Sequence, residues 1–401
     1  LLHRTFKAFQ YRDFRLMWVG ACTSSIGTWM QSLAQSWLVY EISNDAFYLG
    51  LDAFLGQIPI FLFSLVGGVV ADRVDRRHVL LASQIVQMTC AFLLALLFAL
   101  GVVQVWHILC LSFVVGTAQA FGGPAYSALI PTLVGPNDLP NAIALNSIQF
   151  NVARIIGPLL GRLALKNLGP AWCFGLNGVS FVAVIATLLM VQSRFLPRAA
   201  RETMMASMKQ GFAFIKGQSA MISLIVLAFL MTLLGIPLLV FLPAFARDVF
   251  RGDADTFTLL LVTSGAGSIV GALLVATFHN KRNMGRVTLL VLIFLGLMIM
   301  GFGLSNKLVL SCILLFLGSA ALMTVFALIS SLVQLITSDE MRGRVMSVYN
   351  VAFRGGMPFG SLVTGILVKD LAAATVVAIN GVLLTCLGLY YLLVHKKVST
   401  L

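Results

Sequence analysis

Residues 47–101 read FYLGLDAFLGQIPIFLFSLVGGVVADRVDRRHVLLASQIVQMTCAFLLALLFALG. Two apolar runs, 47–71 and 79–101, flank a short turn holding Asp72, Arg73, Asp75, Arg76 and Arg77. Each run is long enough to carry an α-helix across a hydrocarbon core of about 30 Å, which takes about 20 residues. Inside lipid the backbone must bond to itself, so a crossing is a helix or a strand of a closed barrel. These runs are too long for barrel strands and lack the alternation of apolar and polar residues that a barrel shows.

The same pattern extends in both directions. Spans are predicted at 16–42, 47–71, 79–101, 104–134, 141–167, 169–191, 220–246, 256–279, 287–305, 308–335, 344–367 and 371–394. Of the 401 residues, 59% are hydrophobic and only 10% charged, against about a quarter charged in a soluble domain. The expected fold is therefore an all-α integral membrane protein with twelve transmembrane helices in two six-helix bundles, 1–191 and 220–401, joined by a linker at 192–219. The first apolar run is long and leads into further spans, unlike a cleavable signal peptide. Met204, Met208, Phe212 and Ile215 recur at helical spacing in the linker among Arg201, Lys209 and Lys216. That pattern suits a helix on the inner membrane surface, with a solvated tether as the alternative.

The formal net charge is +13. In a soluble protein this excess would suggest nucleic acid as a partner; here membrane topology accounts for it. Nineteen of the 27 Lys and Arg residues fall on the side of the termini, the 73–77 turn and the linker. Six fall on the other side, and Arg154 and Arg354 lie within spans. The positive-inside rule puts both termini and the linker in the cytoplasm, as expected for a bacterial inner-membrane protein. The cysteines Cys22, Cys90, Cys110, Cys173, Cys312 and Cys386 show no metal-ligand spacing and read as small apolar residues. No metal site and no cofactor are expected.

The halves echo each other. Arg154 precedes Pro158 by four residues and Arg354 precedes Pro358 by four, and the turns before them carry Asn137-Asp138 and Asp339-Glu340. Internal repeats of this kind are a mark of secondary transporters.

Gly68 through Arg77 reads G-x-x-x-D-R-x-x-R-R between the second and third spans. This resembles the signature loop of the major facilitator superfamily, and the likeness extends over essentially the whole chain. Ile26–Gln31, Trp37–Glu41, Ala71–Arg77 and Arg342–Ser347 resemble the enterobactin-exporter-like efflux branch. The resemblance implies two bundles rocking about a central site, export driven by proton entry, and Asp72 latching a cytoplasmic gate with Gly68, Arg73, Arg76 and Arg77 around it. Gly157-Pro158-Leu159-Leu160-Gly161 resembles the antiporter motif of drug exporters, with Ala153 and Arg162 standing where glycine is usual.

Three charges inside spans stand out, because such residues are costly and are kept for a reason. Arg154 and Arg354 either line a cation-rich cavity suited to an anionic or catechol-rich substrate or tie helices through carbonyls. Asp52 is either a proton carrier or a shallow residue facing outside water or paired with an Arg. Gln31, Gln35, Gln57, Gln119, Asn146, Gln149 and Asn350 are uncharged polar residues within spans, divided between cavity lining and bonds between helices.

The leading functional expectation is a monomeric secondary transporter with a small molecule, protons and the bilayer as partners, not an enzyme. It would export amphipathic molecules of siderophore or drug type. A facilitator or importer with another coupling is the alternative in the same class. No phosphate-cradling G-x-x-x-x-G-K-[ST] loop occurs. A membrane-embedded enzyme would need a convergent catalytic set, and the five histidines sit at ends or in loops. A transport-dead scaffold is the third class.

Overall fold

The computed structural model describes residues 6–192, 204–277 and 283–401. Among these the chain is helical throughout. A 3-10 turn at Lys7–Gln10 leads into α1 (Arg12–Ser43), α2 (Phe47–Arg73), α3 (Arg76–Ala99), α4 (Val105–Leu133), α5 (Leu139–Asn167) and α6 (Pro170–Met190). After α7 (Met204–Lys216) come α8 (Ser219–Gly235), α9 (Ala254–Thr277), α10 (Met284–Leu304), α11 (Leu308–Leu335), α12 (Arg342–Leu367) and α13 (Ala373–Leu393).

Ten of the described helical stretches are long and apolar enough to cross a membrane, against the twelve expected. The two expected spans outside that set are α1 and α12, helices of 32 and 26 residues whose polar content is higher. The seventh span is longer than expected and is interrupted. Past Gly235 the helix breaks into Pro237–Val240, Leu242–Ala244 and a π-turn at Phe245–Val249. Pro237 and Pro243 each lack the N–H that a continuous helix needs there. Large apolar side chains such as Val19, Leu62, Leu163 and Val309 stand on the surface. A helix apolar on its outer face as well as its inner one has lipid for its solvent.

The chain divides into two compact units, Leu1–Ile42 with Leu55–Arg201, and Ser43–Phe54 with Glu202–Leu401. In the first, α3 packs on α4 and α6. In the second, the counterpart α10 packs on α11 and α13, and α12 lies along α8. The close approaches repeat as well. A Cβ on Gly67 of α2 would strike the Ala120 carbonyl of α4, and one on Gly271 of α9 would strike the Ala320 carbonyl of α11. Gly157 and Gly161 of α5 lie against Ile26, Trp29 and Met30 of α1; Gly356 and Gly360 of α12 lie against Phe229 and Leu233 of α8. Without a hydrophobic drive between helices in lipid, small residues let backbones approach and gain dispersion contact. The internal repeat is thus written in the packing of each unit taken alone.

α7 belongs to the second unit. Gly211 lies on the Arg344 carbonyl at the start of α12, and Ile215 is buried, while Lys209, Phe212 and Lys216 are exposed. Of its apolar stripe, Ile215 is turned inward and Phe212 outward.

Candidate functional site

The turn between α2 and α3 is built from its charges. Asp75 caps the N-terminus of α3, its carboxylate accepting from the Arg77 N–H at 2.9 Å and pairing with His78 Nδ1 at 3.2 Å. An acceptor here satisfies a backbone donor that the first helical turn leaves open. Arg76 donates from Nε to the Ala71 carbonyl (3.1 Å) and from Nη1 to the Ala128 carbonyl of α4 (3.0 Å). Arg77 Nη2 donates to the Leu189 carbonyl in the last turn of α6 (2.6 Å). A guanidinium at a helix C-terminus meets both open carbonyls and the negative end of the dipole. Arg73 is exposed, Gly68 is half-buried beside the tightly packed Gly67, and the Asp72 side chain lies outside the described residues.

A second charged cluster holds the chain's start to the foot of α5. Asp138 is buried and receives Lys7 Nζ at 2.8 Å, Gln10 Nε2 at 2.9 Å and the Tyr11 hydroxyl at 2.9 Å. The Ala8 N–H donates to Asn141 Oδ1 (2.8 Å), and Trp18 Nε1 donates to the Leu145 carbonyl (3.0 Å). The hydrogen bond from Lys7, reinforced by Tyr11, by the charge of Lys7 and by Gln10, holds the Asp138 carboxyl below its ordinary value against the opposing effect of burial. The same bond and charge raise Lys7.

Within the helices of the first unit, polar side chains join into a chain. Asn177 Nδ2 of α6 donates to Gln31 Oε1 of α1 at 2.6 Å. Gln31 Nε2 reaches Gln35 Oε1 at 3.4 Å, and Gln35 Nε2 donates to Ser112 Oγ of α4 at 2.9 Å. Gly27 makes room for this: a Cβ there would meet Asn177 and Ser180. Gln149 donates to the Ala21 carbonyl (3.1 Å) and to Ser25 Oγ (2.6 Å), and the Tyr126 hydroxyl donates to Asn146 Oδ1 (2.5 Å). Gln57 and Gln119 are exposed, and Asp52 is half-buried near the start of α2.

Arg154 is half-buried on α5, about 22 Å from the start of that helix at 1.5 Å per residue. Its guanidinium lies over the Trp29 ring of α1, 5.6 Å from the centroid, and Trp29 stands edge-on to Phe150 with centroids 5.9 Å apart. Gly157, Pro158 and Gly161 continue α5 beneath α1 and are buried. The α12 counterpart differs: Arg354 and Asn350 are exposed, while Tyr349 is buried and stacks on Phe353.

The structure thus joins Gln31 with Gln35, and sets Arg154 beside the Gly157–Gly161 stretch. Sequence reasoning passed over Trp29 as a partner of Arg154, and over Asn177, Tyr126 and the Lys7–Asp138 pair. Asn177 and Tyr126 carried the same signal as the amides singled out, a polar group in an apolar run. Chemically these groups can bind and orient an anion or a polar ligand. Among the described residues no group of three His, Cys, Asp or Glu is placed to hold a metal ion.

Comparison with known proteins agrees with this picture. The sequence pattern of the family described as transmembrane secretion effectors matches residues 3–399. Macrolide efflux protein A of Streptococcus pyogenes is 22% identical over 392 residues, covering 94% of each chain. The enterobactin exporter EntS of Shigella boydii is 26% identical over 397 residues, covering 95% of this chain and 91% of its own. The crystal structure of the nucleoside transporter NupG superposes with a TM-score of 0.75 at 15% identity, covering 96% of this chain and 99% of that one, which shows a shared fold. Matched across nearly its full length, the protein belongs to the transmembrane secretion effector family of the major facilitator superfamily, a family of membrane transporters rather than enzymes.

Proposed function

We propose that the protein is a proton-coupled exporter of amphipathic small molecules, of siderophore or drug type, working by alternating access. Its place is the bacterial cytoplasmic membrane, with termini and linker inside. The observation that carries the substrate reading is the Arg154 guanidinium over Trp29 in the interior of a bundle of apolar helices. A guanidinium and an aromatic ring set together among apolar helices present a charge beside apolar surface. A molecule with both apolar surface and polar or anionic groups suits such a site. The efflux functions named for the two relatives support the direction of transport. The lopsided distribution of Lys and Arg supports the orientation.

On this reading α1 and α12 also cross the membrane, making twelve crossings, because their polar residues face other helices or the substrate path. Gly68 and the Asp72–Arg77 turn act as the cytoplasmic gate, and Asp52 is the candidate proton carrier. The departures from the antiporter motif at Ala153 and Arg162 favour a second reading, a facilitator or importer with another coupling.

The test is reconstitution in liposomes with an imposed pH gradient and a panel of siderophores and dyes. Gradient-driven movement of at least one compound, abolished by a protonophore, is expected. Flux indifferent to the gradient moves the protein to the second reading, and no flux with any compound sinks both.

A further inference from the structure

α7 is held within the second unit at two points. Gly211 lies against the Arg344 carbonyl and Val348, in the first two turns of α12. At its far end only Gly217 and Gln218 separate α7 from α8, and the Gln218 N–H donates to the Ile215 carbonyl at 3.0 Å. α8 opens a stretch apolar enough to cross a membrane, Ser219–Val249. Chain continuity therefore sets α7 at the level where that crossing begins, which is the edge of the lipid.

Successive residues turn about 100° around an α-helix. Going round α7 from the buried Gly211 and Ile215, the order is Met208, Phe212, Lys216, Lys209, Ala213 and Gln210. Met208 is half-buried, Phe212 is exposed by half its surface, and the two lysines, Ala213 and Gln210 are exposed. The faces thus run from protein-bound to apolar, then cationic, then polar and uncharged. No acidic residue occurs in α7 to balance the lysines.

We propose that the Phe212, Lys216 and Lys209 flank of α7 docks anionic phospholipid, with Phe212 in the acyl boundary and the two ammonium groups on headgroup phosphate. The order of the faces carries this. A lipid leaflet presents acyl chain, then phosphate, then water, and the helix presents its partners for each in the same order. Lysine stems are long and apolar enough to run beside Phe212 and raise their charge to the headgroup level. A zwitterionic headgroup cancels its own phosphate charge, whereas an anionic one leaves it for the lysines. Each lysine near an anionic surface is worth about fivefold in lipid occupancy.

The test places a bimane fluorophore at Phe212→Cys, in a background with the native cysteines replaced. The protein is reconstituted in vesicles of equimolar phosphatidylcholine and phosphatidylglycerol. In one preparation the acyl chains of the phosphatidylglycerol are brominated, and in the other those of the phosphatidylcholine, so quenching reports which lipid stands beside the label. Phosphatidylglycerol is expected to be the stronger quencher, with an enrichment of about fivefold for each lysine. Leu383→Cys, exposed in the middle of α13, should be quenched alike by both. Lys209→Gln together with Lys216→Gln should remove the preference at residue 212. Equal quenching there by the two lipids overturns the anionic partner, and a preference that survives the double variant overturns the part given to the lysines. Quenching by aqueous iodide and by neither lipid overturns the membrane contact in favour of a solvated face. Protection from iodide and from both lipids overturns it in favour of a protein cover. Should Phe212→Cys not elute as a single folded species, Met208→Cys, one turn back on the same flank, carries the label under the same expectations.

Discussion

Asp138 sits at the foot of α5 with donors from Lys7, Gln10 and Tyr11 converging on it. Its carboxyl titrates below the ordinary value of 3.8, so its contribution to stability is complete above that pH and is lost as the pH falls through the lowered folded value. Lys7 is raised above 10.5, so its contribution is complete below that pH and is lost as the pH rises through the raised value. The strap is therefore held throughout the neutral range. Asp138→Asn is expected to lower the melting temperature at pH 7, measured by scanning fluorimetry in detergent, and the gap to the unmodified protein should close on acidification below the folded value. A gap of constant size down to the acid limit would show that the carboxylate charge is not what binds the strap. Asn177 gives a second residue-scale expectation. Interhelical hydrogen bonds in membranes contribute about 0.6 kcal/mol on average, with a ceiling of about 1.7. Asn177→Ala and Gln31→Ala should each destabilise, and the double variant should cost less than their sum by about that amount. Full additivity in thermal or denaturant unfolding would mean that the 2.6 Å contact carries no coupling.

α1 is gripped on two sides, by the Asn177–Gln31 contact from α6 and by Gly157 and Gly161 from α5. A Cβ on Gly157 would lie 2.8 Å from the Ile26 carbonyl and closer still to Trp29 Cβ, both on α1. Backbone cannot swing aside as a side chain can, so Gly157→Ala must push the two helices apart. A cost of about 1–3 kcal/mol is expected, the usual range for overpacking, read as a lowered melting temperature. Gly123→Ala is the control, since nothing lies within 4 Å of the added atom; equal behaviour of the two variants would show that the α1–α5 seam is loose. The helices themselves were legible in the sequence because a membrane span is read from length and apolarity alone. The interruption of the seventh span at Pro237 and Pro243 was written in plain sight, but where a proline-broken helix resumes depends on what packs around it. Arg154 and the amides were legible as candidates because polarity stands out in an apolar run. Their partners were not: whether Gln31 meets Asn177 or Gln57 depends on which helices face each other, and periodicity within one helix carries no such information. Nor could the sequence show that Gly211 of α7 lies against Arg344 and Val348 of α12.

At the scale of the whole chain, the charge distribution makes a claim that no single contact tests. Nineteen basic residues on one side against six on the other fix an orientation only if the crossings alternate without a miscount. The claim is exposed at α1 and α12, since these two lie outside the ten stretches apolar enough to cross on composition alone. If either failed to cross, every loop between that point and the nearer terminus would change sides. Labelling with a membrane-impermeant maleimide in intact cells separates the cases. The background must have the native cysteines replaced, because Cys110 and Cys386 are exposed. Lys307→Cys, in the turn before α11, should label in intact cells, whereas Lys209→Cys on α7 should label only after permeabilisation. His395→Cys, after α13, tests α12 separately: it should behave like Lys209→Cys if α12 crosses and like Lys307→Cys if it does not. Labelling of Lys209→Cys from outside would invert the whole topology, and with it the assignment of the Asp72–Arg77 turn to the cytoplasmic gate.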